Sequence, residues 1–272
     1  MNRLYIAPGT IGDAEPRAYV EAAAAAGYVG IGLRLQKSPH LPIFPIVGNA
    51  PLVRDVKHAL RDSGLEVLDI LSFYLLPETR LDDFAPALAL GGELGARYAL
   101  TQGDDPDRSR FGDHVSGFCD VAKRYGITPI LEFVPNRTLA TLPQTLALLD
   151  EIGRDDIPVL VDTLHLVRSG GSAADLAKVD ATRFPYVQIS DGVLAEGEPD
   201  LMIAKRIGVG VRRMPGDGVL PLHEIFDALP SDIPISVEIN MDRPPENSAR
   251  EWARFALEKT RAFLDERLIG TA

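Results

Sequence analysis

Cysteine is nearly absent: Cys119 stands alone among 272 residues. One thiol forms no intramolecular disulfide, and with no Cys or His beside it at ligand spacing it builds no zinc site, so a reducing compartment is the natural setting. Positive charge is also short. The 28 Lys and Arg face 39 Asp and Glu, a formal net charge of −11. No basic stripe offsets that balance, and a phosphate backbone would be repelled, which argues against a nucleic-acid partner. Long apolar runs are missing as well: charged or breaking residues interrupt each one before the ~18 residues of a membrane-spanning helix. The segment Met1–Thr10 carries neither the apolar core nor the small-residue cleavage site of a secretory signal. A cytoplasmic protein with no membrane attachment is the expectation. The usual nucleotide-binding loops do not occur either, since no GxGxxG follows the first β-like run and no GxxxxGK[ST] is found anywhere.

What is present is a folded composition, 46% hydrophobic and 25% charged, arranged in a repeating pattern. Eight short β-like runs occur at Leu4–Thr10, Tyr28–Leu35, Leu65–Tyr74, Ala96–Gln102, Thr128–Val134, Val159–Leu164, Tyr186–Ser190 and Ile235–Ile239. Helix-period stretches alternate with them at Glu15–Ala26, Pro51–Ser63, Asp82–Leu94, Arg108–Tyr125, Leu142–Ile152, Ala173–Val179, Pro221–Leu229 and Ser248–Arg267. Runs such as Val159-Leu160-Val161 are continuously apolar, as strands are when both faces of a parallel sheet are covered. Dividing 272 residues by eight units gives 34, enough for one βαβ step each. With no linker, low-complexity tract or composition break, the pattern predicts one domain over residues 1–272, an α/β fold of the closed (β/α)8 TIM-barrel type.

Two connections exceed simple turns. Gln36–Ala50 holds three prolines, and Asp191–Leu220 is Gly-rich and includes Arg206, Arg212 and Arg213. Both follow strands, on the barrel face where long loops bind ligands. Phe44 in the first suits either a pocket wall or a subunit contact, so a homo-oligomer is compatible with the sequence. Polar residues that end otherwise apolar strands mark the site in such a barrel. They are concentrated in the second half: Glu132 ends run 5, Asp162 run 6, Gln188 lies in run 7, and Glu238 ends run 8. Three carboxylates brought to one mouth repel one another unless a cation neutralises them, and a divalent metal does so most simply. Carboxylate and amide oxygens without a thiolate form a hard site suited to one Mn2+, Mg2+ or Co2+, with Zn2+ also compatible. A single glutamate at a strand end is more often a salt-bridge partner than a ligand. Four donors on successive strands reverse that weighting. His165, three residues past Asp162, is placed to bind substrate or to support the ligands. Asp191 can cap a turn or steady the site, and Phe73, Tyr74 and Gln102 at strand ends 3 and 4 can shape the pocket.

These residues resemble the xylose-isomerase-like TIM barrels, the sugar phosphate isomerase/epimerase superfamily. The resemblance spans nearly the whole chain in strand order and is most specific from Glu132 to Glu238. That family holds one metal with a Glu after strand 5, an Asp after strand 6, a His or Gln after strand 7 and a Glu after strand 8. The matching positions are Glu132, Asp162, Gln188 and Glu238, at intervals of 30, 26 and 50 residues. The family's Asp-x-x-His is present as Asp162-Thr-Leu-His165, and its Arg loop before a Pro-Gly-acid-Gly turn is similar to Arg212-Arg213-Met-Pro-Gly-Asp-Gly218. Gln188 stands where the sugar epimerases usually have His, a pattern similar to dehydratases acting on 3-dehydroshikimate. The apurinic endonucleases of the same barrel need a three-zinc cluster, which five histidines in this arrangement do not supply.

The resemblance implies a metal-dependent isomerase or epimerase of a small ketose or related polyhydroxy ketone, a carbohydrate-metabolism enzyme working through an enediolate. Glu132 and Glu238 would serve as base and acid on opposite sides of the substrate, with His165 and Arg213 orienting its oxygens. A dehydratase of the 3-dehydroshikimate or inosose type is the alternative lyase reading, since it begins with the same proton removal. A non-catalytic barrel that only binds its ligand is the alternative of another class. It predicts a missing carboxylate among the four positions, and none is missing.

Overall fold

Strand and helix alternate in space as they do in the chain. The computed structural model describes residues 2–12, 14–36, 46–193, 212–240, 243–244 and 246–270. Strands β1 (Leu4–Ile6), β2 (Gly30–Arg34), β3 (Glu66–Leu75), β4 (Tyr98–Gly103), β5 (Thr128–Glu132), β6 (Val159–Asp162), β7 (Val187–Ile189) and β10 (Ile235–Val237) pair in parallel and close into a barrel. Around it lie α1 (Pro16–Ala26), α2 (Ala50–Ser63), α3 (Ala85–Glu93), α4 (Arg108–Lys123), α5 (Leu142–Glu151), α6 (Thr163–Arg168), α7 (Ala173–Leu176), α8 (Leu222–Asp227) and α9 (Ala249–Gly270). The chain therefore forms the TIM barrel that its alternation predicts.

The residues set these boundaries locally. In α2 the Asn49 side chain accepts the Leu52 N–H at 3.2 Å, and Pro51 fills a first-turn position that needs no donor. Gly64, at φ 69°, ends the helix in the left-handed region open to glycine. Strand residues alternate between two apolar layers. Ile31, Leu33, Val159 and Val161 join the large outer core beneath the helices. Tyr5, Leu68, Leu71, Leu100, Ile130, Leu160 and Tyr186 plug the barrel interior.

The departures from the expected elements have physical causes. β1 stops at Ile6 and a 3-10 helix takes over at Pro8–Ile11, because Pro8 has no N–H for the ladder. The helix expected over Asp82–Leu94 divides into a 3-10 turn, Leu81–Phe84, and α3 with proline in its first turn. β6 ends at Asp162, whose side chain caps α6 by accepting the His165 N–H at 2.9 Å. The helix expected at Ala173–Val179 starts on that residue but stops at Leu176, where the Lys178 and Val179 N–H groups turn back to the Asp175 and Leu176 carbonyls. The long connection after β7 contributes an unexpected antiparallel pair, β8 (Asp191–Gly192) with β9 (Arg212–Arg213). Arg206, His40, Phe44 and most of Gln36–Ala50 lie outside the described residues. No described helix is long and apolar enough to cross a membrane.

Candidate active site

Side chains in a regular strand repeat every two residues, so on β4 to β7 the residue two places beyond each interior plug residue faces the barrel mouth, whereas β3 breaks the repeat at its register shift between Ile70 and Phe73. Leu100 leads to Gln102, Ile130 to Glu132, Leu160 to Asp162 and Tyr186 to Gln188. Register holds these positions side by side: Asp162 pairs with Gln188 across β6 and β7, and Gln188 with Ser236 across β7 and β10. Glu238 follows two residues after Ser236, and its N–H donates to the Ile189 carbonyl at 3.0 Å. Glu132, Asp162 and His165 each offer one ligand atom within 4.8 Å of the others. His165 Nε2 is 4.0 Å from Glu132 Oε1. Glu132 also accepts a hydrogen bond from Gln102 Nε2. The Gln188 side chain is fully buried, yet among the described residues neither its Oε1 nor its Nε2 has a hydrogen-bond partner. An uncompensated buried amide is costly, and a ligand reaching it would remove that cost.

Electrostatics sharpen the picture. Burial, reinforced by the Glu238 and Asp162 charges, pushes Glu132 well above the usual carboxylate range. Glu238 is also raised, first by burial, with Arg212 pulling the other way. Burial alone would raise Asp162, but Arg212 and the His165 N–H outweigh it and hold the carboxyl low. Burial drives His165 down to about 4, so its imidazole is neutral near pH 7 and can donate or accept a hydrogen bond. Sites with oppositely displaced carboxyls in one cleft are where acid and base roles separate. A bound divalent cation would favour the ionised form of all three carboxyls.

The arginine nearest these groups is Arg212. Its Nη1 donates to Asp162 Oδ2 at 2.8 Å and to Ser190 Oγ at 2.7 Å, and its Nη2 lies 3.7 Å from Glu238 Oε2. Arg213, the sequence candidate for substrate contact, is half-buried and turns Nη1 back to the Arg212 carbonyl at 3.3 Å. Asp191 builds the seat for this pair. Its carboxylate accepts the N–H groups of Gly192, Gly216, Gly218 and Leu220 at 2.8 to 3.1 Å, folding the Pro-Gly-Asp-Gly turn back onto β8. The turn-capping and site-steadying readings of Asp191 thus describe one structure. The sequence signal was available: four turn amides close to a buried Asp make an anion nest.

Two further expectations change. Phe73 faces outward, packing edge-on to Phe84 and tilted on Phe118 beneath the helices, so it does not shape the mouth. Tyr74 is half-buried at the rim with the Arg137 guanidinium 5.4 Å from its ring centre. Arg137 is in turn held by Asp104, at 3.2 Å. Sequence reasoning named Tyr74 but missed Arg137 and Asp104, because the three meet from β3 and from the connections after β4 and β5.

The barrel and its strand-end donor set place the chain among known proteins. A family model for the xylose isomerase-like TIM barrel matches residues 20–259, and the chain belongs to that family. Among curated relatives, an inosose isomerase of Halalkalibacterium halodurans is 27% identical over 146 residues, 52% of this chain and 49% of the relative. A D-psicose 3-epimerase of Agrobacterium fabrum is 26% identical over 149 residues, 52% of this chain and 45% of the relative. The chain thus spans about half the length of the curated relatives it matches. Among solved structures, the IOLI protein with a bound zinc atom superposes with a TM-score of 0.79 at 19% identity, over 97% of this chain and 99% of the other.

Proposed function

We propose that this chain is a divalent-metal-dependent isomerase or epimerase of a small ketose or related polyhydroxy ketone. The observation that carries the proposal is the set of donors on adjacent strands, three carboxylates and a buried amide whose oxygen has no partner among the described residues. Glu132, Asp162, Gln188 and Glu238 would hold the ion, with His165 close enough to Glu132 and Asp162 to join or support them. The donor chemistry fits a hard cation. When bound, such an ion supplies charge stabilisation to the oxyanion that develops as a proton leaves the carbon beside a carbonyl.

This chain's own residues perform the remaining work. One of Glu132 and Glu238 would take the α-proton and the other return one, to the opposite face of the same carbon in an epimerase or to the adjacent carbon in an isomerase, the roles exchanging with direction. Neutral His165 and the Arg212 guanidinium are placed to hold substrate oxygens, while Arg213 remains a candidate for the outer part of the substrate. The inosose isomerase and D-psicose 3-epimerase relatives support the polyhydroxy-ketone class. Gln188 favours one second reading, a dehydratase in which the enediolate expels a β-hydroxyl as water.

Turnover in D2O separates these readings. The epimerase incorporates deuterium at the deprotonated carbon and the isomerase at its neighbour, with the product otherwise isomeric, while a dehydratase lowers product mass by the ~18 Da of a lost water. On the true substrate, Glu132→Gln and Glu238→Gln should each reduce kcat by at least ~10²-fold at saturating metal, because each removes a proton acceptor. Rates within a few-fold of wild type would defeat the acid-base assignment. Calorimetry with MnCl2 that finds no binding dependent on the four donors would defeat the metal assignment.

A further inference from the structure

Gln102 reaches the mouth, yet the proposed reaction gives it no task. It stands two places beyond the plug residue Leu100 on β4, and its half-buried side chain donates from Nε2 to Glu132 Oε2. A carboxylate that serves as a ligand only accepts, so the donor end of the amide must face it. The reverse setting would bring two acceptors together. Oε1 is therefore the end turned away from Glu132, and it takes no hydrogen bond among the described residues. Register sets what lies beside it. Tyr74 is the partner of Gln102 across β3 and β4, and Phe73, one place earlier, packs outward beneath the helices. The half-buried Tyr74 ring thus falls on the same face as Gln102, at the mouth end. An aromatic ring next to a carbonyl acceptor suits a carbon that carries both C–H and O–H, the repeating unit of a polyol.

We infer that Gln102 reads a hydroxyl of the substrate, its Oε1 accepting the hydrogen bond while Nε2 keeps hold of Glu132. The inference rests on the proposed metal site and polyhydroxy-ketone chemistry, and adds where that site discriminates. A substrate with a CH2 or an ether in this place would leave Oε1 unmatched, and an unmatched acceptor counts against the wrong ligand. Only a donor satisfies Oε1, so the amide tells an alcohol from its ether as well as from its deoxy form. Gln102 is thus a specificity-determining residue that joins the group being read to the carboxylate proposed to move the proton.

The test uses ligands that bind without reacting. D-Erythronohydroxamate and D-threonohydroxamate chelate a divalent ion through two oxygens, as an enediolate would, and each carries three hydroxyls that can be removed one at a time. Calorimetry on the Mn2+-loaded wild-type protein should show, in at least one series, a deoxy form that binds ~3- to 10-fold more weakly than its parent, the range of one hydrogen bond. Gln102→Met, of similar length but with no acceptor oxygen, should erase that gap and leave the gaps at the other positions in place. Gln102→Glu keeps an acceptor and should keep the gap. The absence of any gap in both series overturns the inference on the wild type alone, and so do gaps that all survive Gln102→Met. An equal loss for every ligand in Gln102→Met overturns it too, by showing that Gln102 acts only through Glu132. Gln102→Leu is read in place of Gln102→Met if that variant fails to fold. Protein that binds no Mn2+ defeats the proposed metal site and this inference together, whereas Mn2+ binding without a gap defeats the inference alone. A gap that depends on Gln102, with no ketone exchanging deuterium, would uphold the hydroxyl contact and refute the proposed reaction.

Discussion

Arg212 stands against two carboxylates whose charges burial opposes, 2.8 Å from Asp162 and 3.7 Å from Glu238. Removing one member of a buried ion pair strands the other, at a cost of ~3–5 kcal/mol. Arg212→Gln should therefore lower the unfolding temperature sharply in chelator and much less in excess MnCl2, because a bound cation supplies the lost positive charge. Equal losses in both conditions, measured by thermal unfolding, would show that the Arg212 charge is not what balances these carboxylates. The sequence pointed to Arg213, whereas Arg212 is the arginine that reaches these carboxylates. Arg212 and Arg213 are adjacent, and their facing is decided by pairing with Gly192 and Asp191 across a long connection. Glu132 and Asp162 were easier to read, because each ends an apolar strand. Gln102 was harder. Its strand's inward phase depends on which residues fill the barrel, which no local pattern states.

Strand β2 shows how an element is shaped to admit its neighbours. Gly30 and Gly32 leave room that the Tyr5 ring and the Asp69 carboxylate fill from β1 and β3. Gly30→Ala would press a methyl against the Glu66 backbone carbonyl as well as Tyr5, and a backbone atom has little freedom to retreat. A loss of ~1–3 kcal/mol in urea unfolding is expected for such overpacking. Ala25→Lys is the control, since the position is exposed on α1 and lysine is a good helix former, and it should change stability by less than ~0.5 kcal/mol. Comparable losses in the two variants would show that interior fit on β2 is not what the glycine provides. Element types were legible in the sequence because continuous apolar runs and helix-period stretches differ strongly. Boundaries were less so where one residue has two roles. Asp162 ends β6, caps α6 and faces the site, and of these roles only the cap was not visible in its position after an apolar run.

Across the whole molecule, a net charge of −11 coexists with carboxyl groups sealed inside the barrel, and this couples stability to pH. Asp69 is the clearest case. It is buried in the interior, accepts the Tyr186 hydroxyl at 2.6 Å, and has a second oxygen with no partner among the described residues. Burial pushes it up to about 6, against the Tyr186 hydrogen bond and the Arg34 charge that pull it down. Those two groups face it from β7 and β2, and Glu238 feels its charge from the end of β10. In the unfolded chain the same carboxyl titrates near ~3.9. Between those values the folded protein binds more protons than the unfolded one, so this group's contribution falls as pH rises through the window and stays lost above it. The two-unit displacement corresponds to at most ~3 kcal/mol. Asp69→Asn keeps the shape and the acceptor for Tyr186 but removes the charge. It should match the wild type near pH 4 and exceed it by ~1–3 kcal/mol at pH 8, measured by urea unfolding in chelator. The surface ion pairs titrate alike in both proteins and cancel in the difference. A stability difference that is the same at both pH values would show that Asp69 folds in without its proton, and that the barrel interior carries the charge at no cost.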